Sequence, residues 1–204
     1  MTMIAVLGNG RVGGSLARAL TGAGHAVTVA DRSPGSATGA ARTAQIVSNA
    51  TPGAGSLQRL TALREELRGK ILVHVSNATA DGPDGLPAGL LHPGSSLAEH
   101  LQEALPGTRV VKTLNTMLYT VMTAPAALTQ PPTAFLSGED PAAKQAVADS
   151  SPTSAGSRSG SQTSEAALPE DDRRTAEAME VGGRARSKAA ARPPLWAPSR
   201  HVGA

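Results

Sequence analysis

The chain has 204 residues, 40% hydrophobic and 17% charged, with a formal net charge of +3, which describes one small soluble domain with room for an appendage. It contains no cysteine, excluding a disulfide framework, a thiol nucleophile and a thiolate metal site, in keeping with a cytoplasmic protein. The charge is dispersed and there is one Trp, one Tyr and one Phe, too few stacking residues for a nucleic-acid surface, and no apolar run approaches the ~18 residues of a membrane span.

Met3-Ile4-Ala5-Val6-Leu7 reads as a first strand and not as the basic-then-apolar leader of an exported protein. Gly8-Asn9-Gly10-Arg11-Val12-Gly13 follows directly, a G-x-G-x-x-G that opens a helix with Val12, Leu16 and Leu20 on one face. Between a strand and a helix, the first glycine serves a tight turn, the second lets backbone approach a pyrophosphate, and the third lets the helix pack closely. The helix N-terminus directs N–H groups at the anion. This setting predicts a nicotinamide dinucleotide cofactor.

Residues 26–30 read as a second strand, ending in Asp31-Arg32-Ser33, where such folds recognise the adenosine ribose. The Asp31 carboxylate suits a free 2′-hydroxyl and the Arg32 guanidinium a 2′-phosphate, so these two residues leave NAD and NADP open. Residues 44–48 form a third strand running into Asn49-Ala50-Thr51-Pro52-Gly53, and Ser56 is placed to cap a helix carrying Leu57, Leu60, Leu63 and Leu67, closed by Gly69. A fourth strand spans residues 70–76 and is left through Asn77-Ala78-Thr79. Ser96 and Glu99 make a capping box for a helix with Leu97, Leu101 and Leu105, stopped by Pro106-Gly107. Residues 108–114 and 133–137 supply the fifth and sixth strands.

Strands alternating with amphipathic helices predict an α/β fold over residues 1–149, a doubly wound, mostly parallel sheet of the Rossmann type. Residues 150–204 are rich in Ser, Ala, Arg, Gly and Pro and form no apolar face, which predicts a low-complexity, disordered tail. The five histidines show no metal-ligand spacing. His25 and His74 read as structural and His92 as the one candidate acid, while Ser95 and Ser96, with no base legible nearby, read as capping residues.

Four stretches taken together, residues 8–13, Asn49-Ala50-Thr51-Pro52, Val75-Ser76-Asn77-Ala78 and Val110-Val111-Lys112-Thr113-Leu114-Asn115-Thr116, resemble the NADP oxidoreductases that depend on the deazaflavin coenzyme F420. The resemblance covers residues 3 to about 149 and implies hydride transfer between NADPH and the deazaflavin. It also implies Asn9, Gly10, Arg11 and Val12 at the pyrophosphate, Arg32 at the 2′-phosphate, and Ala50, Thr51, Ser76 and Asn77 along the cofactor cleft. Relatives carry Ser where this chain has Asp31, and they continue past the sixth strand with elements that supply part of the substrate pocket and a homodimer contact; residues 150–204 depart from that pattern.

Asn115 ends the fifth strand, where open α/β sheets bind ligands. It is the candidate catalytic residue, bonding the nicotinamide amide or the second ring, with an Asx-type turn as the alternative. Two classes follow: a reductase of a deazaflavin or another small acceptor such as a flavin or imine, or a non-catalytic dinucleotide-binding module without an acceptor pocket.

Overall fold

The computed structural model describes residues 1–83, 87–124, 128–129 and 134–151. The tail predicted for residues 150–204 therefore lies outside the described residues from 152 onward.

Short apolar runs buried on both sides are what a parallel sheet with helices on either face requires. Here β1 (Met3–Leu7), β3 (Ile46–Asn49) and β4 (Ile71–His74) supply them, while β2 (Ala26–Ala30), at the sheet's edge, is largely exposed with only Ala30 buried. The hairpin β5 (Thr79–Asp81) and β6 (Pro87–Leu90) stands apart as a two-stranded sheet. The main sheet continues through β7 (Arg109–Thr113) to β8 (Leu136–Ser137), in the order β2-β1-β3-β4-β7-β8. All its pairings are parallel except β7 with β8, so the sheet is mostly parallel, as expected.

Alternation along the strands feeds two cores. Ala5, Leu7, Val47, Leu72 and Val110 pack against α2 (Ser36–Thr43), α3 (Ser56–Thr61), α4 (Arg64–Leu67) and α5 (Leu97–Ala104). Ile4, Val6, Ile46, Val73 and Val111 face the other way, toward α1 (Arg11–Gly22), α6 (Tyr119–Thr123) and α7 (Pro141–Ser150).

Three local expectations are corrected. Ser56 does not cap its helix: Gly55, at φ 73°, takes the N-cap position, and the Ser56 hydroxyl donates to the Pro52 carbonyl at 2.8 Å. The leucine face from 57 to 67 is carried by two short helices broken at Ala62–Leu63, with Leu60, Leu63 and Leu67 still buried. The sixth strand is shorter than residues 133–137: Ala134 and Phe135 precede it and Thr133 lies outside the described residues. The Ser96 capping box forms as read, with the Ser96 hydroxyl accepting from Glu99 N and the Glu99 carboxylate accepting from Ser96 N.

The chain leaves β1 outward to β2 and returns to β3 on the opposite side of β1. That reversal opens a crevice at the carboxyl ends of β1 and β3, where doubly wound sheets bind ligands.

Candidate functional site

One wall of the crevice is the glycine turn. Gly8 has φ 103°, and a Cβ there would stand 3.0 Å from the Ala50 carbonyl oxygen. A Cβ on Gly13 would fall 1.9 Å from the Gly8 carbonyl oxygen, so the helix approaches its own entry turn as closely as backbone allows. Gly10 is different. It is the N-cap of α1 with extended backbone, no side chain caps the helix, and nothing lies within 4 Å of where its Cβ would be. The first turn carries no acidic residue. A twelve-residue helix thus presents uncapped N–H groups and its positive dipole end to open space, and these residues fit a pyrophosphate. Asn9, Gly10 and Arg11 are exposed around that space, and the Arg11 guanidinium lies 6.0 Å from the Tyr119 ring centre. Val12 packs on the core beneath.

The opposite wall is the loop after β3. Ala50 N donates to the Leu7 carbonyl at 2.9 Å, which ties the loop to the strand that feeds the glycine turn. Asn49, fully buried, holds it from below: its Oδ1 accepts from Thr51 N at 3.3 Å and from the Thr51 hydroxyl at 2.6 Å. Its Nδ2 donates to Ser56 Oγ at 3.2 Å and to His74 Nδ1 at 3.2 Å. Arg59 reaches over the loop and donates to the Pro52 carbonyl at 2.5 Å and the Ala54 carbonyl at 3.0 Å.

The loops after β4 and β7 complete the floor. The Ser76 hydroxyl donates to the Thr51 carbonyl. A Cβ on Gly53 would lie 2.1 Å from the Asn77 carbonyl oxygen, so these two loops touch through backbone. Asn77 Nδ2 donates to the Asn115 carbonyl at 3.1 Å, and Asn115 Nδ2 donates to Asn77 Oδ1 at 3.3 Å. Leu114, just before Asn115, has φ 63°, a left-handed conformation uncommon for a bulky residue. Thr113 donates its hydroxyl to the Phe135 carbonyl at 2.7 Å, and Thr116 is exposed.

Beneath the floor, Asn49, His74 and Lys112 share one register across β3, β4 and β7, all buried. Burial, reinforced by the Lys112 charge, pushes the His74 pKa down to about 3, so the ring is neutral. Because Asn49 Nδ2 is a donor, His74 Nδ1 accepts and the proton sits on Nε2.

At the outer end, Asp31 Oδ1 accepts from Ser33 N at 2.9 Å, and Asp31 N donates to the Ser36 hydroxyl at 3.1 Å. The Ser33 N–H, helped by the Ser33 and Ser36 hydroxyls, holds the Asp31 carboxyl below its ordinary pKa, so it stays anionic. Arg32 beside it is exposed and forms no ion pair among the described residues.

The fold therefore brings together residues 8–13, Ala50, Thr51, Ser76, Asn77 and Asn115 at one sheet edge, with Asp31 and Arg32 at the end of the neighbouring strand. Sequence reading missed Asn49, His74, Arg59 and Lys112. The structural reading of His74 agrees with its full burial, and the asparagine facing it is found only from strand register. Ser95 needs correction too: the loop before α5 sets its Oγ 2.9 Å from His100 Nε2, a neighbour five residues on. His92 stacks on His100 with ring centres 4.6 Å apart, directly after Leu91, whose N donates to the Ala78 carbonyl at 2.9 Å. Among the described residues, no group of three His, Cys, Asp or Glu could hold a metal ion, and no helix is long and apolar enough to cross a membrane.

Residues 3–57 match the family described as NADP oxidoreductase, coenzyme F420-dependent. No curated protein matches the chain. Among solved structures, a protein from Arthrobacter sp. FB24 designated a candidate F420-dependent NADP reductase is 32% identical, covers 93% of this chain and 96% of its own, and superposes with a TM-score of 0.77. A hypothetical protein from Sinorhizobium meliloti is 30% identical over 73% of this chain and 79% of its own, with a TM-score of 0.60. An imine reductase from Streptomyces aurantiacus, 17% identical over 92% of this chain and 62% of its own, shares the fold at a TM-score of 0.57. With the dinucleotide turn, the opposing loops and a full-length relative at this identity in agreement, the chain belongs to the coenzyme F420-dependent NADP oxidoreductase family.

Proposed function

We propose that this protein transfers a hydride between NADPH and a deazaflavin of the F420 type. The observation that carries the reading is the uncapped N-terminus of α1 at Gly10, open where a Cβ would stand and faced by the loop after β3. The N–H groups of residues 10–13 hold the pyrophosphate there, with Gly8 and Gly13 keeping the turn tight. Arg32 pairs with the 2′-phosphate, and Asp31 opposes it or bonds a free 2′-hydroxyl, so the two residues set the NADP-to-NAD preference between them.

Ala50, Thr51, Ser76 and Asn77 line the cleft for the nicotinamide half. Asn115, whose carbonyl and amide already engage Asn77, orients the nicotinamide amide or the acceptor ring. When bound, NADPH gives up a hydride and the deazaflavin takes up that hydride with one proton; the protein's part is to hold two planar rings at reacting distance and exclude water. Residues 1–149 form the cofactor-binding unit in this reading, and residues 150–204 are an appendage to it.

The test is titration with NADPH and NADH by nicotinamide fluorescence, followed by oxidised F420 with the deazaflavin absorbance monitored. Binding followed by bleaching of the deazaflavin supports the proposal. Binding without turnover favours a dinucleotide-binding module, and failure to bind either nucleotide overturns the cofactor assignment.

A further inference from the structure

We infer that His74 is a positioning residue for the cofactor loop after β3, acting through the side-chain amide of Asn49; the inference rests on the dinucleotide reading of that loop. An asparagine amide has two donor hydrogens and two acceptor positions, and Asn49, with none of its surface exposed, uses all four. The donors go to Ser56 Oγ and His74 Nδ1, and the acceptor positions are taken by Thr51 N and the Thr51 hydroxyl.

The Ser56 hydroxyl gives its one hydrogen to the Pro52 carbonyl, so its oxygen accepts from Asn49 Nδ2, and Thr51 N–H, a donor only, meets Asn49 Oδ1; these two fix which way the amide faces. With the amide so placed, its second N–H meets His74 Nδ1, which selects the neutral tautomer carrying its proton on Nε2 and makes Nδ1 the acceptor. Turned over, the amide would set N–H against Thr51 N–H and oxygen against a Ser56 oxygen whose hydrogen is already given to Pro52. By accepting that second buried N–H, His74 holds Asn49 in place with its oxygen presented to the loop, and that oxygen pins Thr51 in the wall opposite Gly8, whose Cβ position lies 3.0 Å from the Ala50 carbonyl and 3.3 Å from Thr51 Cγ2. Burial keeps the ring neutral.

The test compares His74→Asn with His74→Gln in the full-length protein. Asparagine carries its oxygen one bond from Cγ, where Nδ1 sits; glutamine carries its own one atom further, at the place of Nε2, and leaves nothing beside Asn49. Amide hydrogen exchange over residues 50–53 without nucleotide is expected to match wild type in H74N and to speed up in H74Q. The NADPH Kd is expected to stay within about twofold for H74N and to rise roughly tenfold for H74Q, the size of one buried hydrogen bond. In an Asn49→Leu background H74Q should add nothing further.

A merely structural role would loosen all of β4 in both variants alike, and equal loop exchange in H74N and H74Q overturns the inference. Nitrogen-15 shifts of the wild-type His74 ring test it without any variant: Nδ1 must be unprotonated from about pH 5 to 8, and a proton there overturns it. If wild type itself does not bind NADPH, the dinucleotide reading fails, while the exchange comparison still decides the relay.

Discussion

The second and third glycines of the G-x-G-x-x-G turn separate binding from folding, and Gly10→Ala and Gly13→Ala should fail in opposite ways. A methyl at Gly13 would begin 1.9 Å from the Gly8 carbonyl oxygen, and contact at 3.0 Å requires helix and turn to part by 3.0 − 1.9, about 1.1 Å. Backbone against backbone cannot be relieved by a rotamer change. The cost lies at the upper end of the ~1–3 kcal/mol of overpacking, offset by about 1 kcal/mol for alanine over glycine inside a helix. The net loss of about 2 kcal/mol lowers Tm by roughly 4–8 °C in a chain of this size.

At Gly10 the backbone is extended at φ −81° and no atom lies within 4 Å of the new methyl. The entropy alanine removes from the unfolded chain, about 0.4–1 kcal/mol, is balanced by its poor N-cap character, so Tm stays within about 4 °C of wild type. Yet the methyl occupies the approach to the uncapped N–H groups. Losing one charge-assisted hydrogen bond of ~1.5–3 kcal/mol raises the NADPH Kd about 10- to 100-fold. Calorimetric melting and NADPH fluorescence titration read the two effects separately. G10A binding NADPH as wild type does would refute the placement of the pyrophosphate at α1, and G13A melting no lower than wild type would refute the contact.

Asp31→Ser removes the carboxylate that the Ser33 N–H keeps ionised and is expected to lower KM for NADPH while raising it for NADH; Arg32→Ala should raise KM for NADPH alone, with steady-state kinetics on both nucleotides as the check. Ser96→Ala deletes the hydroxyl that accepts from Glu99 N, at about 1 kcal/mol and roughly 2–4 °C in Tm, without moving NADPH affinity. His74 sets an acid limb of stability. The folded state, with a His74 pKa near 3, refuses a proton that the unfolded chain takes up below about pH 6.5. Stability is therefore complete above about pH 6.5 and falls by about 1.4 kcal/mol per pH unit toward pH 3. Urea unfolding at about pH 6, 5 and 4, below the unfolded-state pKa, should approach that slope in wild type and a flatter one in H74N; parallel slopes would refute it.

What the sequence made legible is what local physics decides alone. Strands β1 and β4 announce themselves as short apolar runs, Ile4-Ala5-Val6-Leu7 and Ile71-Leu72-Val73, because a central parallel strand is buried on both faces. The Ser96 and Glu99 box lies within one helical turn, so spacing suffices to find it. Helix α2 escaped notice because its buried positions are Ala40 and Ala41, too small to mark a period. Helix α7 carried a signal that could have been read: Asp140 caps it, accepting from Ala143 N at 2.9 Å, with Pro141 at its first position.

The rest of the site is set by register, which no local window contains. Asn49, His74 and Lys112 are separated by 25 and 38 residues, and they become neighbours only because β3, β4 and β7 pair with Asn49 opposite His74 and His74 opposite Lys112. A shift of one residue in either pairing would put a buried polar group against an apolar neighbour on the wrong face. Leu114 is held by tertiary structure in the same way. Its left-handed backbone costs about 1–2 kcal/mol, and neither its own preference nor its neighbours' supplies a reason for it. Burial of its side chain in the α1-side core holds it there, while the next residue, Asn115, turns back to exchange hydrogen bonds with Asn77. Strain at one residue is thus what closes the end of β7 onto the end of β4, and the floor of the crevice exists only where that closure is made.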